Sequence, residues 1–129
     1  MPAIPPALLR RLYVEGSLQN RPDGFEFTLR NRLAPSTIIS LGPLTVDGRS
    51  VSQDVVQIQT KRNLRAVTKV ADKSPLDWLI NTEIKLIVAD GALAPGIHRL
   101  TFEIGLKEVG ALTLRVEDTP RHTDTTTGS

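Results

Sequence analysis

The chain's stock of side chains for imidazole, thiol and indole chemistry is small: two histidines, one tyrosine, one tryptophan and no cysteine. An imidazole that titrates near neutral pH can move a proton or bind a metal, so His98 is the residue to weigh first. It stands in phase with Leu100 and Phe102, which reads as a histidine at the rim of a core, donating to a carbonyl at a nearby turn. No HxxxH, HxH or histidine–carboxylate spacing accompanies it, whereas a zinc site takes three or four ligands. His122 falls in a stretch without apolar pattern, where a side chain is not held to the ~0.5 Å that a working site needs.

Carboxylates and hydroxyls add no constellation. Asp72 and Asp77 flank Trp78, while Glu103, Glu108 and Glu117 fall at outward strand positions or turns and read as solvated. Ser17, Ser40 and Ser74 lack the Gly-x-Ser-x-Gly elbow, and the scattered glycines form no phosphate cradle. No catalytic, cofactor-binding or metal-binding residue is assigned. Trp78 has two readings: a plug for the end of the fold, or an aromatic anchor at a partner interface, where tryptophan is enriched. Pro75, Leu76, Asp77 and Trp78 are therefore the candidate interface.

The elements that would position these residues are strands. Apolar residues recur at every second position from Leu12 to Val116, clearest in His98-Arg99-Leu100-Thr101-Phe102-Glu103-Ile104-Gly105-Leu106. One face is core and the other wet. The pattern predicts strands over residues 12–19, 25–31, 37–41, 55–59, 64–70, 83–89, 97–106 and 111–117. Asp47-Gly48 should close a type I′ hairpin between residues 44 and 51, and Gly42-Pro43 marks a bulge or a change of sheet. Residues 71–82 read as an irregular loop.

So many short strands in one chain of 129 residues predict an all-β fold, an antiparallel, immunoglobulin-like β-sandwich, with a small β-barrel as the alternative. Residues 1–11 form a Pro-rich lead with a helical turn at 6–11, residues 12–118 the sandwich, and residues 119–129 a disordered tail.

Sixteen basic and fourteen acidic residues, largely interspersed, leave a formal charge of +2. With aromatics at 4%, that is not a nucleic-acid footprint; Lys61, Arg62, Arg65 and Lys69 read as a solvated loop or edge-strand face. No apolar run approaches the ~20 residues of a membrane span, and the Pro-containing start is the reverse of a secretory signal. With no cysteine, a reducing, cytoplasmic setting is expected.

The order of motifs resembles the small β subunit of bacterial C-glycoside deglycosidases. The resemblance spans residues 12–118 and rests on Gly16-Ser17-Leu18-Gln19-Asn20, Asp23-Gly24-Phe25-Glu26-Phe27, Leu44-Thr45-Val46-Asp47-Gly48, Pro75-Leu76-Asp77-Trp78 and Gly91-Ala92-Leu93-Ala94-Pro95-Gly96-Ile97-His98. It implies a non-catalytic β-sandwich subunit bound to a TIM-barrel α subunit of the sugar isomerase/epimerase type, which together cleave a C–C bond of an oxidised C-glycoside. The divalent metal and the acid/base residues would then belong to the barrel, and this chain would hold no cofactor. Similar patterns occur in short prokaryotic proteins, some named hydroxymethylglutaryl-CoA reductase, although motifs for NAD(P)H and CoA chemistry are missing here. The alternative reading is a stand-alone sandwich that binds carbohydrate or assembles with itself as a homo-oligomer.

Overall fold

The computed structural model describes residues 6–121. A short helix α1 (Pro6–Arg10) precedes ten strands: β1 (Gln19–Arg21), β2 (Gly24–Arg30), β3 (Ser36–Val46), β4 (Arg49–Val51), β5 (Val56–Gln59), β6 (Leu64–Ala66), β7 (Leu76–Trp78), β8 (Glu83–Val88), β9 (His98–Leu106) and β10 (Gly110–Asp118). One sheet has the order β1-β2-β8-β5-β6 and the other β10-β9-β3-β4, with β7 also paired to β3. Every strand pairing is antiparallel. The two sheets do not close on each other, so the fold is the sandwich and not the barrel.

Alternation explains the packing. Phe25, Phe27 and Leu29 of β2 and Ile84, Leu86 and Val88 of β8 point inward from one sheet, and Leu100, Phe102, Ile104 and Leu106 of β9 from the other. The layers meet where Phe27 and Phe102 stack edge to face with ring centroids 5.9 Å apart, a favoured aromatic geometry. On the outer side of the first sheet, Glu26 is buried beneath its ion pairs with Arg21 at 2.6 Å and Lys85 at 3.1 Å.

Turn chemistry behaves as its residues dictate. Asp47 and Gly48 take φ of +53° and +82°, the left-handed pair that a type I′ hairpin needs. At Gly42-Pro43 the chain stays in one sheet: β3 runs through, with its register against β9 shifted between Leu41 and Leu44. That is the bulge.

Four expectations are corrected. The strand expected over residues 12–19 is broken: Tyr13 bridges Leu29 alone, Ser17 N donates to the Val14 carbonyl at 3.1 Å, and Gly16 at φ +79° turns the chain before pairing resumes at β1. Past Ala66, the run expected over 64–70 winds into a 3-10 turn, Val67–Lys69. Residues 71–82 are not all loop, because Leu76–Trp78 pairs with Ser36, Thr37 and Ile38 of β3. The tail does not begin at Thr119. Asp118 Oδ1 accepts from Thr119 N at 2.8 Å, Pro120 is buried, and Arg121 lies parallel to Gln19 while donating to the Leu18 carbonyl at 2.9 Å. Residues 1–5 of the expected lead and 122–129 of the expected tail, His122 included, lie outside the described residues.

Candidate functional site

His98 opens β9, and its two ring nitrogens are both engaged. Nδ1 lies 2.6 Å from Asp47 Oδ2 in the β3–β4 turn, and Nε2 lies 2.7 Å from the Ala94 carbonyl. The carboxylate partner was hidden from the sequence because it lies 51 residues away. Asp47 Oδ1 in turn accepts from Arg99 N at 2.8 Å. An imidazole facing two acceptors donates to both only when protonated. The Ala94 carbonyl, followed by the Asp47 carboxylate, accordingly raises the His98 pKa above its ordinary value. The Arg99 amide, followed by His98, lowers that of Asp47.

Neighbouring bonds show what this pair holds. Asn20 is buried and trades two hydrogen bonds with Leu93, donating from Nδ2 at 2.9 Å and accepting at Oδ1 at 2.8 Å. Arg49 binds Asp90 at 2.7 Å. The loop of residues 89–97 is thus clamped to β1 on one side and to the β3–β4 hairpin on the other. His98 is part of that clamp, an expansion of the rim role expected for it.

The segment read as an interface divides by parity. Pro75 and Asp77 are exposed, while Leu76 and Trp78 are buried. The Trp78 indole is 1% exposed and donates from Nε1 to the Thr82 carbonyl at 2.8 Å. Asn31 Nδ2 donates to the Trp78 carbonyl at 2.8 Å. Trp78 is therefore the plug and not an exposed anchor. The apolar side chains that this segment does show to solvent are Leu79 and Ile80, 61% and 48% exposed. They stand at the tip of the β7–β8 turn.

Of the basic cluster around Lys61, Arg65 sits on the edge strand β6 and ties the following turns, donating to the carbonyls of Lys69 and Ser74 at 3.1 Å and 2.9 Å. A second basic surface was not anticipated. An open groove of about 1570 Å³ runs between α1 with the residues after it and strand β10. Arg10, Arg11, Arg32, Arg99 and Arg115 line it, against Glu15 and Glu117. Arg99 is held by Glu117 at 3.3 Å. The available signal was weak: the Arg10-Arg11 pair and the outward phase of Arg99 and Arg115 on adjacent strands. What gathers them is the docking of α1 beside β10, which periodicity does not reveal. Among the described residues, no three His, Cys, Asp or Glu side chains come together as a metal site. No helix there is long and apolar enough to cross a membrane.

Fold and site together define an antiparallel β-sandwich domain in which the His98–Asp47 pair clamps loops and a groove beside β10 is lined by arginines. The chain belongs to the hydroxymethylglutaryl-CoA reductase N-terminal domain family, whose model matches residues 8–121. No curated protein matches it. Among solved structures it is similar to a family 123 glycoside hydrolase from Clostridium perfringens, described in connection with glycolipid glycan hydrolysis. That similarity has 13% identity and a TM-score of 0.34 over 84% of this chain, which spans 22% of the hydrolase chain.

Proposed function

We propose that this chain is a non-catalytic accessory module, a β-sandwich that works beside a catalytic unit carried on another chain or another part of the same one. The observation that carries the proposal is the state of His98. In a working histidine–carboxylate pair, the nitrogen away from the carboxylate must be open to take the substrate's proton. Here that nitrogen, Nε2, is bound to the Ala94 carbonyl at 2.7 Å, and Asp47 is bound to the Arg99 amide. The groups are spent on holding the loop.

Two catalytic units are compatible with an accessory role. The family description supports a hydroxymethylglutaryl-CoA reductase, of which such a module is the N-terminal domain. The motif order ending in Ala94-Pro95-Gly96-Ile97-His98 supports instead a metal-dependent TIM-barrel subunit that cleaves C–C bonds of oxidised C-glycosides. Co-expression of this chain with each unit, followed by sedimentation of the purified mixture, tests the role. A stable complex with one of them is expected, together with turnover that the isolated chain lacks. Turnover by the isolated chain, of hydroxymethylglutaryl-CoA with a nicotinamide cofactor or of an oxidised C-glycoside, would overturn the accessory reading.

A further inference from the structure

The groove beside β10 combines two features that point to one kind of occupant. The first is a sheet edge that no described strand covers, with α1 packed beside it across the groove. Strand β10 ends its sheet and runs for nine residues, about 30 Å at the usual rise. Among the described residues no strand pairs with its outer side. Long edges of this kind are commonly blunted by Pro, Lys or a covering element; β10, Gly110-Ala111-Leu112-Thr113-Leu114-Arg115-Val116-Glu117-Asp118, has neither Pro nor Lys, and the five-residue α1 packed beside it is too short to span its nine residues. Residues of both parities, Leu112 and Val116 as well as Ala111, Thr113 and Arg115, line the groove. That pattern means the groove follows the strand's edge and not one face alone.

The second feature is charge. Five arginines line the groove against two glutamates, while the whole chain has a net charge of only +2. Glu117 is already taken by Arg99. Arg10, Arg11, Arg32 and Arg115 are exposed and form no ion pair among the described residues. Guanidinium forks match carboxylates in a bidentate manner, and an edge strand satisfies an extended backbone by strand addition.

We propose that the edge of β10 takes an extended acidic segment of a partner protein, which adds a strand to the sheet while its carboxylates meet Arg10, Arg11, Arg32 and Arg115. This rests on the accessory reading, for which it names the docking surface. A second copy of the chain fits less well, since it would bring the same arginines against their own kind.

The test uses the full chain and a short fluorescent peptide alternating valine and glutamate. Binding by fluorescence anisotropy is expected, weakening with salt as exposed charge pairs do, and at least about tenfold with Arg11→Glu combined with Arg115→Glu. Hydrogen exchange at residues 111–117 should slow in the complex. N-methylating one set of alternate peptide amides should abolish binding while the other set is tolerated, because only one set faces β10. The lysine counterpart should not bind.

Equal binding of both N-methylated peptides would overturn strand addition. So would unchanged affinity in the double variant, or no binding up to about 1 mM. Inorganic pyrophosphate binding the groove more tightly than the peptide would assign it to small anions, and concentration-dependent protection of β10 without peptide would assign it to self-pairing. Either outcome rejects the proposal. Any of these failures leaves the accessory role standing, because that role is tested by complex formation with a catalytic unit.

Discussion

Tyr13 donates its hydroxyl to Asp118 Oδ2 at 2.6 Å, across 105 residues of sequence. The same oxygen accepts from Gly16 N at 3.0 Å and Leu18 N at 3.4 Å, so one carboxylate at the end of β10 organises the turn that leads into β1. Burial, and then the bond to Asp118, pushes the phenol well above its ordinary value. It therefore remains a donor throughout the physiological range. Because Tyr13 lines the groove and also bridges Leu29 of β2, this bond ties one sheet to the end of β10 in the other.

Tyr13→Phe keeps the ring, which packs on Phe27 at 6.2 Å, and removes only the hydroxyl. The expected loss is about 1.5–3 kcal/mol, the range for a hydrogen bond to a charged group. Urea unfolding followed by circular dichroism measures it. A loss below about 0.5 kcal/mol would mean that water replaces the hydroxyl at no cost, and the bond is not a clamp.

Trp78 carries the second prediction. Because the indole is buried, Trp78→Ala should cost about 3–5 kcal/mol as a core truncation. Trp78→Phe should cost less, losing chiefly the bond to the Thr82 carbonyl. Leu79→Ser with Ile80→Ser, at the exposed tip of the same turn, should leave stability within about 0.5 kcal/mol. Thermal melts of the three variants decide this. A fully stable Trp78→Ala would return the indole to the surface.

A close approach between β3 and β9 gives a third. A Cβ placed on Gly105 would fall on Ser40 Oγ, closer than atoms can approach, and register pairs these two residues. Gly105→Ala is therefore expected to destabilise by about 1–3 kcal/mol, as overpacking does. Ser40→Ala removes the offending oxygen, although Ser40 Cβ would remain 3.3 Å from the new one. The double variant should accordingly recover part of the loss, a coupling of at least about 0.5 kcal/mol in a double-mutant cycle. Strict additivity would show that the strands part instead.

Much of this architecture was legible in the residues. Period-two alternation gave the inward faces of β2, β8, β9 and β10, and Asp47-Gly48 gave its hairpin, because both are local consequences of backbone geometry. Phe102→Ala should cost about 3–5 kcal/mol on that assignment. Short or interrupted elements escaped. Leu76–Trp78 alternates for only three residues, and its pairing with β3 is a tertiary fact. The alternation from Leu12 to Leu18 misled: neighbouring Leu12 and Tyr13 are both buried while Val14 is only half-buried, and Gly16 turns left-handed within the run. The site was less legible still. Asp47 meets His98 only through the docking of a hairpin against β9, and the arginines of the groove come from α1, the turn after it, the β2–β3 loop and two strands.

The last prediction concerns pH. The folded pKa of His98 is raised above its ordinary 6.5, so its contribution to stability is fully present below that value and is lost as pH rises through the raised pKa. Asp47 is lowered from its ordinary 3.8, so its contribution is present above that value and lost as pH falls through the lowered pKa. Both contributions coexist between the two ordinary values, in mildly acidic solution. Above that window a neutral imidazole has one proton for two acceptors, and either Asp47 or the Ala94 carbonyl loses its partner. The gap in melting temperature between the wild-type chain and His98→Gln should therefore be widest at about pH 5.5 and narrow by about pH 9. Hydrogen-exchange protection of residues 90–97, taken relative to the intrinsic rate at each pH, should fall over the same rise in the wild-type chain but not in the variant. A gap that stays constant with pH would show that His98 holds the loop as a neutral ring, and the charged clamp would have to be abandoned.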